Sequence, residues 1–264
     1  MTKILVLGDI VGRPGRRLVM HKVSEWVQEG RYDFVIANCE NTAGGAGVTG
    51  KIARGLLNAG IDGLTLGDHC WDQRIFLEEV DELEGICRPA NLPEAAPGKD
   101  RLILEKKQTR LGVFTVLGRN YMRPHVSCPF LTADRLIEEL AAEVDFILVE
   151  VHAEATSEKI AMGWYLDGRS AAVYGTHTHV ATADARVLPE GTAYITDLGM
   201  SGPHTGVLGR ETQPVIERFL DGIPRRFPVA ASDVKLCGIE LQLAQPGQAA
   251  SSVRSFVWPG DDRD

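Results

Sequence analysis

One recurring unit limits what this chain can fold into. A short apolar run ends in polar residues, a loop follows, and a stretch with helical spacing comes next. Lys3 to Leu7 is the first run, continuous in β-branched residues and leucine, the pattern of a strand buried on both faces. It leads into Gly8-Asp9-Ile10-Val11-Gly12 and a helix predicted over about Arg16 to Gln28. Asp33 to Asn38 ends in Cys39-Glu40-Asn41, with a glycine-rich loop and a helix over about Lys51 to Asn58 behind it. Gly63 to Leu66 ends in Gly67-Asp68-His69-Cys70-Trp71-Asp72, before a helix over about Gln73 to Leu83. Asp145 to Val151 runs into His152, and Ala171 to Tyr174 runs into Gly175-Thr176-His177-Thr178-His179-Val180. Such alternation argues for a single α/β domain over residues 1–259.

Three further pairs read as hairpins: Arg101–Lys107 with Leu111–Leu117 around Thr109-Arg110, Ala185–Leu188 with Thr192–Thr196, and Lys235–Leu243 with Ser252–Val257. This strand-rich second half predicts two facing sheets rather than one. Leu131 to Glu143 has helical spacing with Thr132 as its cap, Thr212 to Leu220 is helical, and Asp197 to Arg210 is a glycine-rich loop. The polar tail, residues 260–264, is expected to be disordered.

Composition narrows the function. The net charge of −8 argues against broad binding to nucleic acid or an anionic membrane. A small anion could still bind where metal ions reverse the local field. No apolar run approaches a membrane span, and the N-terminus is apolar too briefly for a signal peptide, so a cytoplasmic protein is expected. The five cysteines are odd in number and form no C-x-x-C, which disfavours a disulfide framework or a zinc ribbon.

His177 and His179 are two positions apart at a strand's end, so both imidazoles can reach one small volume. Neutral imidazole suits Zn, Fe, Mn or Cu. Taken singly, Asp9 reads equally well as a turn cap. The Glu40-Asn41 pair is hard to justify as packing, since a buried carboxylate needs a partner, and its alternative is to cap the following turn. Together, five strand ends deliver Asp9, Glu40-Asn41, Asp68-His69, His152 and His177-His179, which predicts a shared pocket. Hard oxygens with imidazoles and no paired thiolates favour Mn or Fe over structural zinc. The donors suffice for two ions with one carboxylate bridging, the usual device for activating water and stabilising an in-line displacement at phosphorus.

Read together, Gly8-Asp9-Ile10-Val11-Gly12, Glu40-Asn41, Gly67 to Asp72, His152 to Lys159 and Gly175 to Val180 resemble the YmdB-type calcineurin-like metallophosphoesterases. The resemblance continues through Thr182-Ala183-Asp184 and Asp197-Leu198-Gly199-Met200 and covers nearly the whole chain, in the family's order. It implies a four-layer α/β sandwich of two mixed sheets flanked by helices. It also implies two metals, commonly iron or manganese with zinc an option, and hydrolysis of cyclic nucleotides, 2′,3′-cyclic ones with 3′,5′-cyclic ones an option. Asp9, Asn41 and His179 would hold one metal, and Asp68, His152 and His177 the other, with Glu40 bridging. His69 would protonate the leaving oxygen. The wider superfamily usually has a histidine two residues after the first aspartate; here that place is Val11, and Asn41 fills the vacancy. The family usually has asparagine where this chain has Asp68, so the charge balance of the site departs from the pattern.

The rival expectation is a metal-bound, catalytically weak nucleotide sensor or interaction protein, which Asp68 favours. A homo-oligomer is compatible with either. Arg13, Arg16 and Arg17 could attract phosphate near a helix N-terminus, but arginines there are usually solvated. His125 and His204 read as surface residues, His21 as a helix residue without chemistry, and Cys39 as core. Cys70, beside His69, is left between packing and redox sensitivity.

Overall fold

The structure is a computed structural model that describes residues 1–244 and 249–259. The tail expected over 260–264 lies outside the described residues. In chain order the first elements are β1 (Thr2–Leu7), β2 (Asp9–Ile10), α1 (Gly12–Gln28), β3 (Phe34–Asn38), α2 (Gly50–Asn58) and β4 (Gly63–Thr65). Then come α3 (Phe76–Glu79), β5 (Ile86–Cys87), β6 (Leu102–Lys106), β7 (Thr109–Leu117), α4 (Pro129–Leu140) and β8 (Phe146–His152). The last are α5 (Thr156–Tyr165), β9 (Ala172–Thr176), β10 (Arg186–Val187), β11 (Ala193–Ile195), β12 (Met200–Pro203), α6 (Thr212–Asp221), β13 (Val234–Leu243) and β14 (Ala250–Trp258).

Strand alternation explains the layers. In β1, Leu5 and Leu7 face one way and join Val19 and Val23 of α1 and Ala53 and Leu56 of α2. Ile4 and Val6 face the other way and meet Leu111, Val113, Phe146 and Leu148 of a second sheet. The far face of that sheet, with Val116, Ile147 and Val149, is covered by Leu136 and Leu140 of α4 and Met162 of α5. Three apolar cores therefore separate four layers: helices, sheet, sheet, helices. Both faces of each central strand are buried, which is why these runs are nearly continuous in apolar residues.

The first sheet has eight strands in the order β2-β12-β13-β1-β3-β4-β5, with β14 also paired to β13. Its β1, β3, β4 and β5 run parallel, while β13 is antiparallel to β1. The second has six strands in the order β10-β11-β9-β8-β7-β6, with β7, β8, β9 and β11 parallel. Both sheets are mixed, as expected. None of the described helices is long and apolar enough to cross a membrane.

Several boundaries differ from expectation. Helix α1 begins at Gly12, because Pro14 is tolerated in a first turn whose N–H groups lack helical partners anyway. The helix expected over Gln73–Leu83 is only α3 followed by a 3₁₀ turn at Val80–Glu82. The first hairpin turns at Lys107-Gln108, both with positive φ, as a two-residue hairpin loop requires. The residue before α4 is Cys128, with Pro129 opening the helix, so Thr132 lies inside the helix and is not its cap. The expected loop over Asp197–Arg210 contains β12, which pairs with β2 and β13. The ends of parallel strands in the two sheets lie at one edge of the sandwich, where the site is found.

Candidate metal centre

The inner face of β8 explains how polar groups come to lie between two sheets. Phe146 and Leu148 pack in the inter-sheet core. By the period of two, Glu150 and His152 share that face, nearer the strand's C-terminal end. Asn38, Thr115 and Thr176 occupy the corresponding places on β3, β7 and β9. Glu150 is buried and is bonded by all three: Asn38 Nδ2 donates at 2.7 Å, Thr176 Oγ1 at 2.7 Å and Thr115 Oγ1 at 3.4 Å. The apolar core thus ends in a polar floor.

His152 stands on that floor. Its Nδ1 is 2.9 Å from Thr176 Oγ1. That hydroxyl gives its proton to Glu150, so it accepts from Nδ1–H and leaves the lone pair on Nε2. Nε2 is 3.0 Å from Asp68 Oδ1, 3.2 Å from Glu40 Oε1 and 3.1 Å from His177 Nδ1. His177 repeats the pattern: Nε2 faces Glu154 Oε2 at 3.3 Å, and Nδ1 faces Asp68 Oδ1 at 3.1 Å. His179 does so a third time. Its Nδ1 faces the Leu208 carbonyl at 3.3 Å, and its Nε2 faces Asn41 Oδ1 at 3.0 Å. The Asn41 amide is oriented by Nδ2 donating to the Gly45 carbonyl.

Each imidazole therefore gives one N–H to a protein acceptor and turns a lone pair toward other acceptors. A second hydrogen bond that fixes the tautomer is the usual support of a metal-ligating histidine. One potential donor atom from each of Glu40, Asp68, His152 and His177 lies within 4.8 Å of the other three. Asp9 is fully buried; Oδ2 accepts from the His177 N–H at 3.1 Å, and Oδ1 has no hydrogen-bond partner. A buried, unpartnered carboxylate oxygen needs a cation or a proton. Gly67 adds a cradle: a Cβ there would collide with His152 Nε2 and Glu40 Oε2. The residues fit one or more bound cations.

Electrostatics agree. Burial pushes the Asp9 carboxyl up. Burial disfavours the His152 imidazolium, but Glu40, Asp68 and Asp9 outweigh it and hold the ring well above the usual histidine range. Burial likewise opposes the Asp68 carboxylate, yet hydrogen bonds from His152 and His177 keep its pKa far below normal. The cluster draws a positive charge into itself, and protons fill that role when nothing else does.

His69 lies at the rim. Its N–H donates to Glu40 Oε2 at 2.9 Å, and its Nδ1 donates to Asp72 Oδ2 at 2.8 Å. Burial lowers its pKa, but Glu40, Asp68 and Asp72 raise it overall.

The remaining candidates fall elsewhere. His125 lines a separate cavity with Arg119 and Met122. His204 lines a neighbouring cavity that shares His179, and it lies 3.6 Å from Cys237 Sγ. His21, Arg13 and Arg17 line a surface pocket away from the cluster. Cys39 is in the core as expected; Cys70 is also buried there, and burial pushes its thiol far up, which makes it inert rather than redox-sensitive.

The sequence assigns no role to four supporting residues, Glu150, Glu154, Asp72 and Asp197, although the last three lie in blocks that carry the family resemblance. Glu150 had a signal, since a carboxylate inside Phe-Ile-Leu-Val-Glu-Val needs a buried partner. Asp197 Oδ2 accepts from Thr178 N–H at 3.2 Å and Thr178 Oγ1 at 2.8 Å, and it pairs with buried Lys159 at 2.7 Å. It thereby holds the turn between the two histidines. Nothing local to Asp197 announces this.

Comparison with known proteins places the whole chain. A 2′,3′-cyclic-nucleotide 2′-phosphodiesterase of Bacillus subtilis is 45% identical over 255 residues, covering 97% of this chain and 96% of that protein. A crystal structure of a hypothetical protein from Thermus thermophilus superposes with a TM-score of 0.90 at 42% identity, covering 97% of this chain and 98% of the other. A novel phosphatase from Mycoplasma pneumoniae gives 0.90 at 32% identity, covering 97% and 94%. The family model described as YmdB-like protein matches residues 5–256, and with matches of this extent the chain belongs to the YmdB-like family.

Proposed function

We propose that this chain is a metal-dependent phosphodiesterase that hydrolyses 2′,3′-cyclic nucleotides with two bound divalent ions. The observation that carries the reading is the set of three histidines that each anchor one nitrogen and offer the other to buried acceptors. The Bacillus relative's activity supplies the substrate class. Asp9, Asn41 and His179 would hold one ion, Asp68, His152 and His177 the other, with Glu40 shared. Iron or manganese suits this mix of carboxylate, amide and imidazole. Two such ions supply Lewis acidity, making water nucleophilic and neutralising charge on the phosphoryl oxygens.

The protein's own residues orient and protonate. Glu150, through Thr176, fixes the His152 tautomer, and Glu154 does the same for His177. His69 borders the same cavity as the donors. Asp72 accepts a hydrogen bond from its Nδ1–H, so the Nε2–H of the protonated ring is left to protonate the departing ribose oxygen, and nearby carboxylates favour that protonated form. The rival sensor reading rests on Asp68 alone. Elemental analysis of chelator-free protein and turnover of 2′,3′-cyclic AMP with Mn²⁺ test the proposal. The expected results are two ions per chain and product release; 3′,5′-cyclic and aryl phosphodiesters complete the substrate panel. Saturation at one ion would sink the dinuclear assignment, and two ions without turnover of any phosphodiester would favour the sensor.

A further inference from the structure

The cavity over Glu40, Asn41, His69, His177 and His179 has a volume of about 570 Å³ and a second wall of different chemistry. That wall comprises Val207, Leu208, Val215, Arg218, Phe219 and Phe227. Helix α6 supplies three of these at positions i, i+3 and i+4, which share one helix face. None of these side chains has a part in holding ions or moving a proton; the contact with His179 is made by the Leu208 backbone carbonyl. Phe219 is 85% exposed and Leu208 48%, so core packing does not explain them. The wall is tied to the ligand loop: Arg210 Nη1 donates to the Phe227 carbonyl at 3.1 Å and the Gly44 carbonyl at 3.3 Å, and Nη2 donates to the Gly45 carbonyl at 2.5 Å. Gly45 is the residue that orients Asn41. The Arg218 guanidinium lies 5.9 Å from the Phe227 ring centre, and no carboxylate pairs with it among the described residues.

We infer that Phe219, Phe227 and Arg218 form a stacking platform for the base of a nucleotide whose cyclic phosphate lies at the metal donors. This rests on the phosphodiesterase reading and adds what separates nucleotides from smaller cyclic phosphates. The volume is in the range of small-ligand sites. Aromatic rings and a guanidinium stack on any base, whereas base identity is read by fixed donors and acceptors. The platform therefore favours a base over none, and purines over pyrimidines by ring area, without selecting one base.

The test compares 2′,3′-cyclic AMP with glycerol 1,2-cyclic phosphate, which has no base, on manganese-loaded protein. Phe219→Ala should lower the ratio of kcat/KM for the two substrates roughly tenfold, mostly through the KM for the nucleotide. Phe219→Trp should restore the ratio. Equal losses on both substrates, or no change in the ratio, would overturn the platform. A changed elution volume in gel filtration together with equal losses would assign Phe219 to a contact between copies instead. If the wild-type protein hydrolyses neither substrate, the phosphodiesterase reading itself fails. Calorimetric affinity for 3′-AMP then decides the platform separately: roughly tenfold weaker binding by Phe219→Ala supports it, and equal binding refutes it.

Discussion

At the residue scale, Asp68 and His69 are neighbours for which opposite tasks are proposed. Asp68 Oδ1 faces two imidazole nitrogens, at 3.0 Å and 3.1 Å. An asparagine oxygen could face the same groups without the charge. At an effective dielectric of about 20, a unit charge 4 Å away is worth about 4 kcal/mol before screening. Asp68→Asn should therefore make the manganese-loaded site a tighter anion binder, read as at least a several-fold lower inhibition constant for inorganic phosphate. An unchanged constant would mean that Asp68 does not set the charge a phosphodiester meets. For His69, the expected signature is selectivity by leaving group. His69→Ala should slow hydrolysis of a 2′,3′-cyclic nucleotide on the order of a hundredfold, and an aryl phosphodiester far less, since a good leaving group needs little protonation. Equal losses would make His69 a binding residue.

The turn carrying His177 and His179 is the element that matters most. Both residues have positive φ, at 96° and 64°, a region that the Cβ of an L residue disfavours. Such conformations cost about 1–3 kcal/mol each and persist only when the surroundings over-determine them. Here Asp9 holds the His177 N–H, and Asp197 holds Thr178 while paired with Lys159 of α5. Gly175 lets the strand approach, because a Cβ there would meet the Thr196 carbonyl and lie 2.7 Å from Lys159 Cδ. Lys159→Met strands a buried carboxylate and should cost about 3–5 kcal/mol in denaturant unfolding, with weaker metal retention on dialysis. The double variant Lys159→Met with Asp197→Asn should lose less stability than the two single losses added. Wild-type stability and metal content in Lys159→Met would show that the pair does not brace the turn.

For the whole molecule, the site is a seam. The eight-stranded sheet contributes Asp9, Glu40, Asn41 and Asp68 through its strand ends, and the six-stranded sheet contributes His152, His177 and His179. Ions held between them would join two layers that otherwise meet through the apolar core. They would also remove the cost of carboxylates buried together. Manganese at a thousand times its dissociation constant should stabilise the fold by about 4 kcal/mol over chelated protein, if the unfolded chain does not bind it. Thermal unfolding with Mn²⁺ and with excess chelator measures this. Identical melting temperatures would mean that ions do not bind preferentially to the folded state.

The sequence by itself determined the strands that carry the candidate donors and the polar residues that end them. These signals are local: period-two burial writes a strand into a few residues, and a carboxylate or imidazole at its end stands out against the apolar run. Asp9, Glu40, Asn41, Asp68, His152, His177 and His179 stand out as candidate donors for that reason, and the family resemblance groups them. Turn positions and short pieces such as β12 do not stand out, because β12 is a strand only through partners far away in the chain. The supporting residues belong to the same class. Glu150 is bonded to Asn38 across 112 positions, Lys159 to Asp197 across 38, and Arg210 reaches back 165 to Gly45. Only the tertiary structure could decide these pairings, because a buried polar group must find a partner but nothing in its neighbourhood says which one the packing of two sheets will bring.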